Sequence, residues 1–273
     1  MRYVALAMGI DGLTRRWQRR YDQADQGNER QSRRRRRWVW RAVRGLAAVL
    51  IALVMAAGII LTVTPSVATA WSIAREQADS HHSAFPGPAV PHRFAAALIA
   101  TEDHRFGSEP GVDPYAIARV LLAGLTGGGD QGGATLYQQL AKVLYTPGRG
   151  GIPTEIEQIA LAIKLKYSYS DAQILRMYSA VVYFGHGFYG LAAASCGYFG
   201  RPPGKLSWSQ AALLAGLVQA PSAYDPLQFP RLARARERHV IGRLAATGVL
   251  TGHRAKAALA ASIARLTRGA GGC

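Results

Sequence analysis

The sequence is poor in cysteine and in acidic residues, and the shortage of cysteine limits the disulfides and metal sites that it can form. Its 273 residues include two cysteines, Cys196 and Cys273, with no Cys-x-x-Cys pair and no cluster of cysteine and histidine. This spacing excludes a disulfide framework and argues against a zinc site. Because Cys196 lies among Ala and Gly in a segment with helical spacing, we expect it to be a buried and unreactive thiol.

Acidic residues number 16 against 33 Lys and Arg, which gives a formal net charge of +17. Such an excess is typical of proteins that bind nucleic acid or an anionic membrane. Residues 1–44 hold 13 Arg against 4 acids, whereas the segment after Ala74 holds 20 basic residues against 12 acids. The basic charge is therefore densest just before an apolar run. This arrangement favours a membrane over a nucleic-acid-binding arm, and we expect no nucleic-acid partner.

Charged residues are absent from Gly45 to Ala74. The core of this run, residues 45–63, is about 19 residues long, which is enough for one helix to cross the hydrocarbon of a bilayer. Pro65 ends the pattern, and Trp71 suits the far membrane interface. A cleaved signal peptide would have a much shorter polar segment before its apolar run. We therefore predict a single-pass membrane anchor.

The Arg-rich segment at residues 33–44 predicts the orientation of that anchor. Positive residues flanking a membrane helix favour the cytoplasmic side, which places residues 75–273 outside. We therefore expect a protein of the cytoplasmic (inner) membrane whose main domain is periplasmic or otherwise extracytoplasmic.

Strand-like alternation is absent from any segment of useful length, and the remainder of the chain has helical spacing. Gly- and Pro-rich segments separate the helical ones. The predicted helical segments after Phe94 are residues 115–125, 135–144, 156–166, 171–183, 207–219 and 232–247. The predicted organisation is a cytoplasmic tail (1–44), a transmembrane helix with an interfacial segment (45–74), a connector (75–92) and one mainly α-helical domain (93–273). A capping box is predicted at Ser207–Gln210.

Candidate site residues concentrate between Ala100 and Val143. Glu102 and Asp103 end an apolar helical run, and a Gly-rich segment precedes a second helix with Gln138, Gln139 and Lys142. A carboxylate, a glycine-opened helix start, two amides and a lysine suit a site that handles an anionic substrate and a proton. The alternative interpretation is a solvated helix end followed by a polar helix face.

These residues resemble two motifs of the peptidoglycan glycosyltransferases of family 51, which occur in class A penicillin-binding proteins and as monofunctional enzymes. The family's first motif is Glu-Asp-x-x-Phe-x-x-His-x-Gly-x-Asp. It is matched here by Glu102, Asp103, Phe106, Gly111 and Asp113, with Glu109 in place of the His. The second motif is Gly-x-Ser-Thr-x-Thr-Gln-Gln-x-x-Lys. It is matched by Gly132, Thr135, Gln138, Gln139 and Lys142, with Ala134 and Tyr137 in place of the Ser and the second Thr.

The resemblance extends from about Phe94 to Gly248, but the third motif differs. That motif, Arg-Lys-x-x-Glu, falls on residues 154–158, where the basic pair is missing and Gln158 stands for the glutamate. Ala180 replaces an Asn of the family, and the Ser-x-x-Lys motif of transpeptidases does not occur in this sequence. Arg149 and Lys164 are the candidates to supply the missing positive charge.

The resemblance implies a lysozyme-like helical glycosyltransferase domain that joins glycan units with inversion. The donor would be a glycan on a polyprenyl pyrophosphate, and the acceptor would be lipid II. Glu102 is the implied catalytic base, and Lys142 is the implied ligand of the pyrophosphate. The implied substrate-binding residues are Asp103, Phe106, Asp113, Thr135, Gln138, Gln139, Lys142 and Gln158. We expect no cofactor and no metal site, because an amide at position 158 holds a divalent cation less well than a carboxylate.

Lipid II, the lipid-linked glycan, the membrane and cell-wall synthesis proteins are the implied partners. Two other functions remain open on the sequence. A catalytically impaired, membrane-anchored relative would bind lipid-linked glycan or cell-wall partners. A lysozyme-like hydrolase would also be helical and would also use a glutamate. Product analysis separates the three functions. A glycosyltransferase makes a polymer, an impaired relative makes no product, and a hydrolase makes a shortened glycan.

Overall fold

A computed structural model describes residues 35–113, 133–261 and 273. The described residues form helices, one short 3-10 helix and an isolated β-bridge, with no strand among them, so the mainly α-helical prediction is confirmed. The α-helices are α1 (Arg35–Val63), α2 (Ala70–Ser80), α3 (His92–Glu102), α4 (Leu136–Tyr145), α5 (Ile152–Ser168), α6 (Asp171–Val181), α7 (Leu191–Phe199), α8 (Trp208–Leu217), α9 (Pro230–Ala246) and α10 (Gly252–Ala260). The helix predicted at 115–125 lies outside the described residues.

The chain divides into two compact units, Met1–Ile60 and Leu61–Cys273. Residues 35–60 of the first unit belong to α1, which begins at Arg35 and has a length of 29 residues. At 1.5 Å per residue such a helix exceeds the roughly 30 Å of bilayer hydrocarbon. Its large apolar side chains are exposed, as Leu46 at 73% shows. Within the described ranges, α1 is the one helix long and apolar enough to cross a membrane.

The core of the second unit is centred on α8. Nine of its ten residues, Ser209 to Leu217, are buried, as expected for a helix that is apolar on every side. Helices α3 and α9 pack against it. The hydroxyl of Ser209 donates a hydrogen bond of 2.5 Å to Glu237, whose side chain is also paired with Arg234. This pairing satisfies a carboxylate that would otherwise be costly to bury.

Capping boxes fix the starts of three helices. Thr135, Ser170 and Ser207 each accept a hydrogen bond from the third residue of the following helix, whose Gln side chain bonds back to the cap. The box predicted at Ser207 is therefore confirmed. The box at Thr135 matters most for function, because it fixes the start of α4 next to the end of α3.

The two cysteines correct the sequence interpretation. Cys196, on α7, forms a disulfide with Cys273, with the two Cα atoms 5.7 Å apart. Cys196 is therefore not a free thiol, and it is half-buried rather than buried. Spacing could not reveal the bond, because 77 residues separate the partners and only the fold brings them together.

Candidate active site

Glu102 is the last residue of α3, and its side chain is 11% exposed. Both carboxylate oxygens have partners from other helices. Oε1 accepts a hydrogen bond of 3.0 Å from Nη2 of Arg236 on α9. Oε2 accepts one of 3.3 Å from Nε2 of Gln139 on α4. The carboxylate is therefore fixed between a guanidinium and an amide.

The environment of Glu102 raises its pKa above the usual glutamate value. Burial is the largest cause, and the charge of Asp103 adds to it. Arg236 and the hydrogen bond from Gln139 oppose the shift. A carboxylate with a raised pKa is a better proton acceptor, and this is the property required of a general base.

Tyr178 determines how the Gln139 amide is oriented. Its hydroxyl donates a hydrogen bond of 2.6 Å to Oε1 of Gln139, which leaves Nε2 facing Glu102. Burial raises the pKa of Tyr178 well above the usual value, so the phenol stays neutral and remains a donor. The sequence analysis assigned no role to Tyr178, because a buried tyrosine on an apolar helix face also suits simple packing.

Asp103 and Thr135 join the first two motifs. Oδ2 of Asp103 accepts a hydrogen bond of 2.9 Å from the backbone N–H of Leu136, at the start of α4. The hydroxyl of Thr135 donates to the Gly111 carbonyl at 2.7 Å and accepts from the backbone N–H of Gln138 at 3.2 Å. These residues hold the two segments together, and in the structure their polar atoms contact protein groups.

Phe106 and Asp113 also make contacts inside the first motif. The ring of Phe106 stacks on Tyr137 with centroids 5.0 Å apart, and Asp113 forms an ion pair with Arg105. The hydroxyl of Tyr137 donates a hydrogen bond of 2.5 Å to Oδ1 of Asp171. Tyr137, which replaces a threonine of the family motif, therefore contributes to packing and to a partly buried polar network.

Neither Lys142 nor Gln158 forms a hydrogen bond or ion pair with Glu102 in the part of the chain that the structure describes. Lys142 is exposed on α4 and has no hydrogen bond or ion pair through its ammonium among the residues described. Nε2 of Gln158 donates a hydrogen bond of 2.8 Å to the hydroxyl of Thr146, which follows α4. Gln158 thus ties α5 to the C-terminal end of α4. Gly132 lies outside the described residues.

Both candidates for the missing basic pair contact groups other than Glu102 in this structure. Arg149 pairs with Glu157 at 2.7 Å, and Nζ of Lys164 donates to the carbonyls of Thr64 and Pro65. Among the described residues, Arg236 is the cation that contacts the Glu102 carboxylate, and the sequence interpretation missed it. Arg occurs at positions 231, 234, 236 and 238, and spacing alone does not show which of them faces α3.

Acidic and histidine side chains do not gather into a metal site in the part of the chain that the structure describes, since no group of three or more His, Cys, Asp or Glu converges there. The groups that meet at Glu102 are a proton acceptor, a cation and a fixed amide donor.

Comparison with known proteins agrees with the motifs. The family model described as Transglycosylase matches residues 70–245, more than half of the chain. Penicillin-binding protein 1A of Aquifex aeolicus (strain VF5) is 37% identical over 163 residues, covering 59% of this chain and 22% of that protein. Penicillin-binding protein 1F of Bacillus subtilis (strain 168) is 34% identical over 163 residues, covering 59% and 23%.

Among solved structures, that of penicillin-binding protein 1A from Haemophilus influenzae aligns at a TM-score of 0.38 with 22% identity, covering 63% of this chain and 16% of that chain. This chain spans about a fifth of the length of the curated relatives described above. The residues that match the family model include both motifs around Glu102. The chain therefore belongs to the transglycosylase family, the peptidoglycan glycosyltransferases of family 51, as its motifs indicate.

Proposed function

We propose that this protein polymerises peptidoglycan glycan strands from lipid II. The observation that carries the proposal is the position of Glu102: a buried carboxylate with a raised pKa, held by Arg236 and Gln139 at the junction of the two family motifs. Family membership supplies the reaction class, and this geometry supplies a base suited to it. The donor is a glycan on a polyprenyl pyrophosphate, and the acceptor is the sugar hydroxyl of lipid II.

In the proposed reaction, Glu102 accepts the proton of the attacking sugar hydroxyl. The hydroxyl oxygen forms a bond to the anomeric carbon as the bond from that carbon to the pyrophosphate breaks. The polyprenyl pyrophosphate leaves with the electron pair, and the α-linked donor yields a β-linked product by inversion. General-base assistance of this kind typically contributes 10²- to 10⁴-fold.

The departing pyrophosphate needs positive charge or N–H donors. Lys142 is exposed on α4, one helical turn beyond Gln138, and its ammonium has no partner among the described residues. We assign it to the pyrophosphate for this reason. Thr135, Gln138 and Gln139 then belong to the same helix start and shape the site around that group. Asp103, Phe106, Asp113 and Gln158 hold these segments in place through their contacts with Leu136, Tyr137, Arg105 and Thr146.

The test is glycan polymerisation from labelled lipid II by the detergent-solubilised full chain. A polymer of labelled glycan supports the proposal. Absence of any product contradicts it, as does shortening of glycan strands that are added to the same reaction. The last result identifies a hydrolase.

Replacing Lys142 with Ala is expected to weaken binding of the lipid-linked donor by about tenfold or more, because a charge-assisted contact to phosphate is lost. Titration of a fluorescent polyprenyl-pyrophosphate glycan measures the effect. Lys205→Ala is the matched control, since Lys205 is also exposed and lies in the 3-10 helix Pro203–Lys205. Equal donor affinity in both variants would mean that Lys142 is an ordinary surface lysine.

The proposal includes an orientation: α1 crosses the cytoplasmic membrane and the second unit is extracytoplasmic. The Arg-rich flank supports this through the positive-inside tendency. The disulfide between Cys196 and Cys273 supports it independently, because such bonds persist mainly in oxidising compartments.

A periplasmic reporter enzyme fused after Cys273 should therefore be active, whereas the same reporter fused after Arg44 should be inactive. Enzyme activity of both fusions in whole cells measures the topology. Activity of the Arg44 fusion together with inactivity of the Cys273 fusion would reverse the proposed orientation.

A further inference from the structure

Glu109 is a buried acid that the proposed mechanism does not use. It replaces the His of the family's first motif, and it is only 6% exposed. Its Oε1 atom is buried and has no hydrogen-bond partner among the residues that the structure describes. An ionised carboxylate in this position would have an unsatisfied acceptor, and leaving such a group unpaired is costly. A neutral carboxylic acid, in contrast, has a proton to donate.

Asp103 is the group able to accept a hydrogen bond from that proton, and it is also 6% exposed. The two carboxyl groups interact directly: burial raises the pKa of Glu109 to about 7, and the charge of Asp103 and a hydrogen bond to Asp103 act in the same direction. The pKa of Asp103 is raised by burial, while the hydrogen bond to Glu109 and the one from the Leu136 backbone lower it. Two buried carboxyls that share one proton are the simplest state consistent with these contacts.

The other charged groups near the pair do not neutralise Glu109. Asp113 raises its pKa further, and Arg105, which lowers it, is already paired with Asp113. On α4, the phenol of Tyr137 is affected by the charges of Asp103 and Glu109, which contribute to its raised pKa. From α5, Lys166 donates to the Gly107 carbonyl, to the Tyr137 hydroxyl and to Asp171. His104 acts on Asp103 and lowers its pKa.

We propose that Glu109 is a positioning residue: its carboxyl group stays protonated and donates a hydrogen bond to Asp103. Asp103 in turn accepts from the Leu136 backbone at 2.9 Å and so fixes the start of α4. The same helix carries Gln139, whose amide contacts Glu102 at 3.3 Å. The proton on Glu109 therefore stabilises the junction of the two motifs. Its effect on catalysis rests on the proposed function, whereas its effect on stability does not.

The sign of the pH dependence follows from proton linkage. Above its ordinary pKa of 4.5 the unfolded chain has lost this proton, while the folded chain keeps it up to about pH 7. The contribution of Glu109 to stability therefore falls as pH rises from about 4.5 to 7 and then stays constant. Above pH 7 the folded protein contains a deprotonated Glu109 beside Asp103, which loosens the start of α4.

Thermal unfolding of the full chain in detergent, from pH 5 to pH 8, tests the proposal on wild type and Glu109→Gln. The amide of Gln can donate to Asp103 at every pH. We expect the Tm of Glu109→Gln, relative to wild type, to rise by about 5 °C between pH 5 and pH 8. Glu109→His, which restores the family's residue and a neutral N–H donor, should behave similarly above pH 7. A Tm difference that is independent of pH in both variants would overturn the proposal.

Polymerisation rates supply the second readout. The wild-type rate should decline as pH rises through about 7, and Glu109→Gln should lack that decline. A decline of equal size in both proteins would overturn the catalytic part of the inference. If wild type forms no polymer at all, the proposed function fails, but the Tm comparison still tests whether Glu109 carries the proton.

Discussion

Replacing Glu102 with Gln should lower the rate of glycan polymerisation by at least about a hundredfold, because an amide cannot accept the proton of the sugar hydroxyl. Gln keeps the size of the side chain, and its Oε1 can still accept from Arg236, which lies 3.0 Å from the glutamate oxygen. The change is therefore directed at proton transfer. Initial rates of labelled lipid II polymerisation measure the effect.

Glu155→Gln is the matched control for this experiment. Glu155 is an exposed acid in the first turn of α5, and its carboxylate makes no hydrogen bond or ion pair with any residue that the structure describes. Its replacement should leave the polymerisation rate within about twofold of wild type, as expected for a surface substitution away from special contacts. Equal Tm values for wild type and Glu102→Gln would show that the lost rate is not lost folding. A Glu102→Gln protein that polymerises as fast as wild type would show that another group is the base.

Much of this fold follows from the order of apolar and breaker residues. Capping residues and glycines predicted the first residues of α4 and α8 to within one residue, because local hydrogen bonding determines where a helix begins. The uncharged run after Arg44 predicted the C-terminal part of α1, because a long apolar stretch can be recognised in the sequence without knowing what it packs against. The segment 75–92 was interpreted as a connector because of its prolines at 86, 88 and 91, but its first six residues belong to α2 (Ala70–Ser80).

The site could be predicted only in part. Gln139 and Glu102 were both among the candidate residues, and the structure brings them into contact. Arg236 was missed because its approach to Glu102 depends on how α9 packs on α3, 134 residues away in sequence. The bond between Cys196 and Cys273 was missed for the same reason. Local patterns identify elements, but long-range pairings depend on packing that a single sequence does not display.

Arg236 is the residue whose removal should change the pH dependence most. Its guanidinium is the largest of the influences that lower the pKa of Glu102, against a burial effect that raises it. The Arg236 side chain is only 12% exposed, so solvent screens the pair weakly. Nε of Arg236 also donates a hydrogen bond of 3.2 Å to the Gly216 carbonyl, and its Cζ atom lies 5.9 Å from the centroid of the Tyr224 ring. These contacts fix the charge beside the carboxylate.

Arg236→Gln should therefore raise the pKa of Glu102 further and shift the acidic limb of the pH–rate profile upward by about one pH unit or more. The sign follows from the role of Glu102, because a base works only when deprotonated, and a higher pKa delays deprotonation to higher pH. At a pH within the acidic limb the rate should fall about tenfold, and raising the pH should recover part of it. A pH series of polymerisation rates measures both effects.

Two further variants separate charge from geometry at this position. Arg236→Lys keeps the positive charge but loses the fixed planar donors, so its acidic limb should lie closer to wild type than that of Arg236→Gln. Arg238→Gln removes an exposed arginine of the same helix and should leave the limb in place. An acidic limb that stays at the wild-type pH in Arg236→Gln would mean that Arg236 does not control the proton of Glu102. A rate lost equally at every pH would assign Arg236 to substrate binding or folding instead, because only a shifted limb reports a changed affinity of Glu102 for its proton.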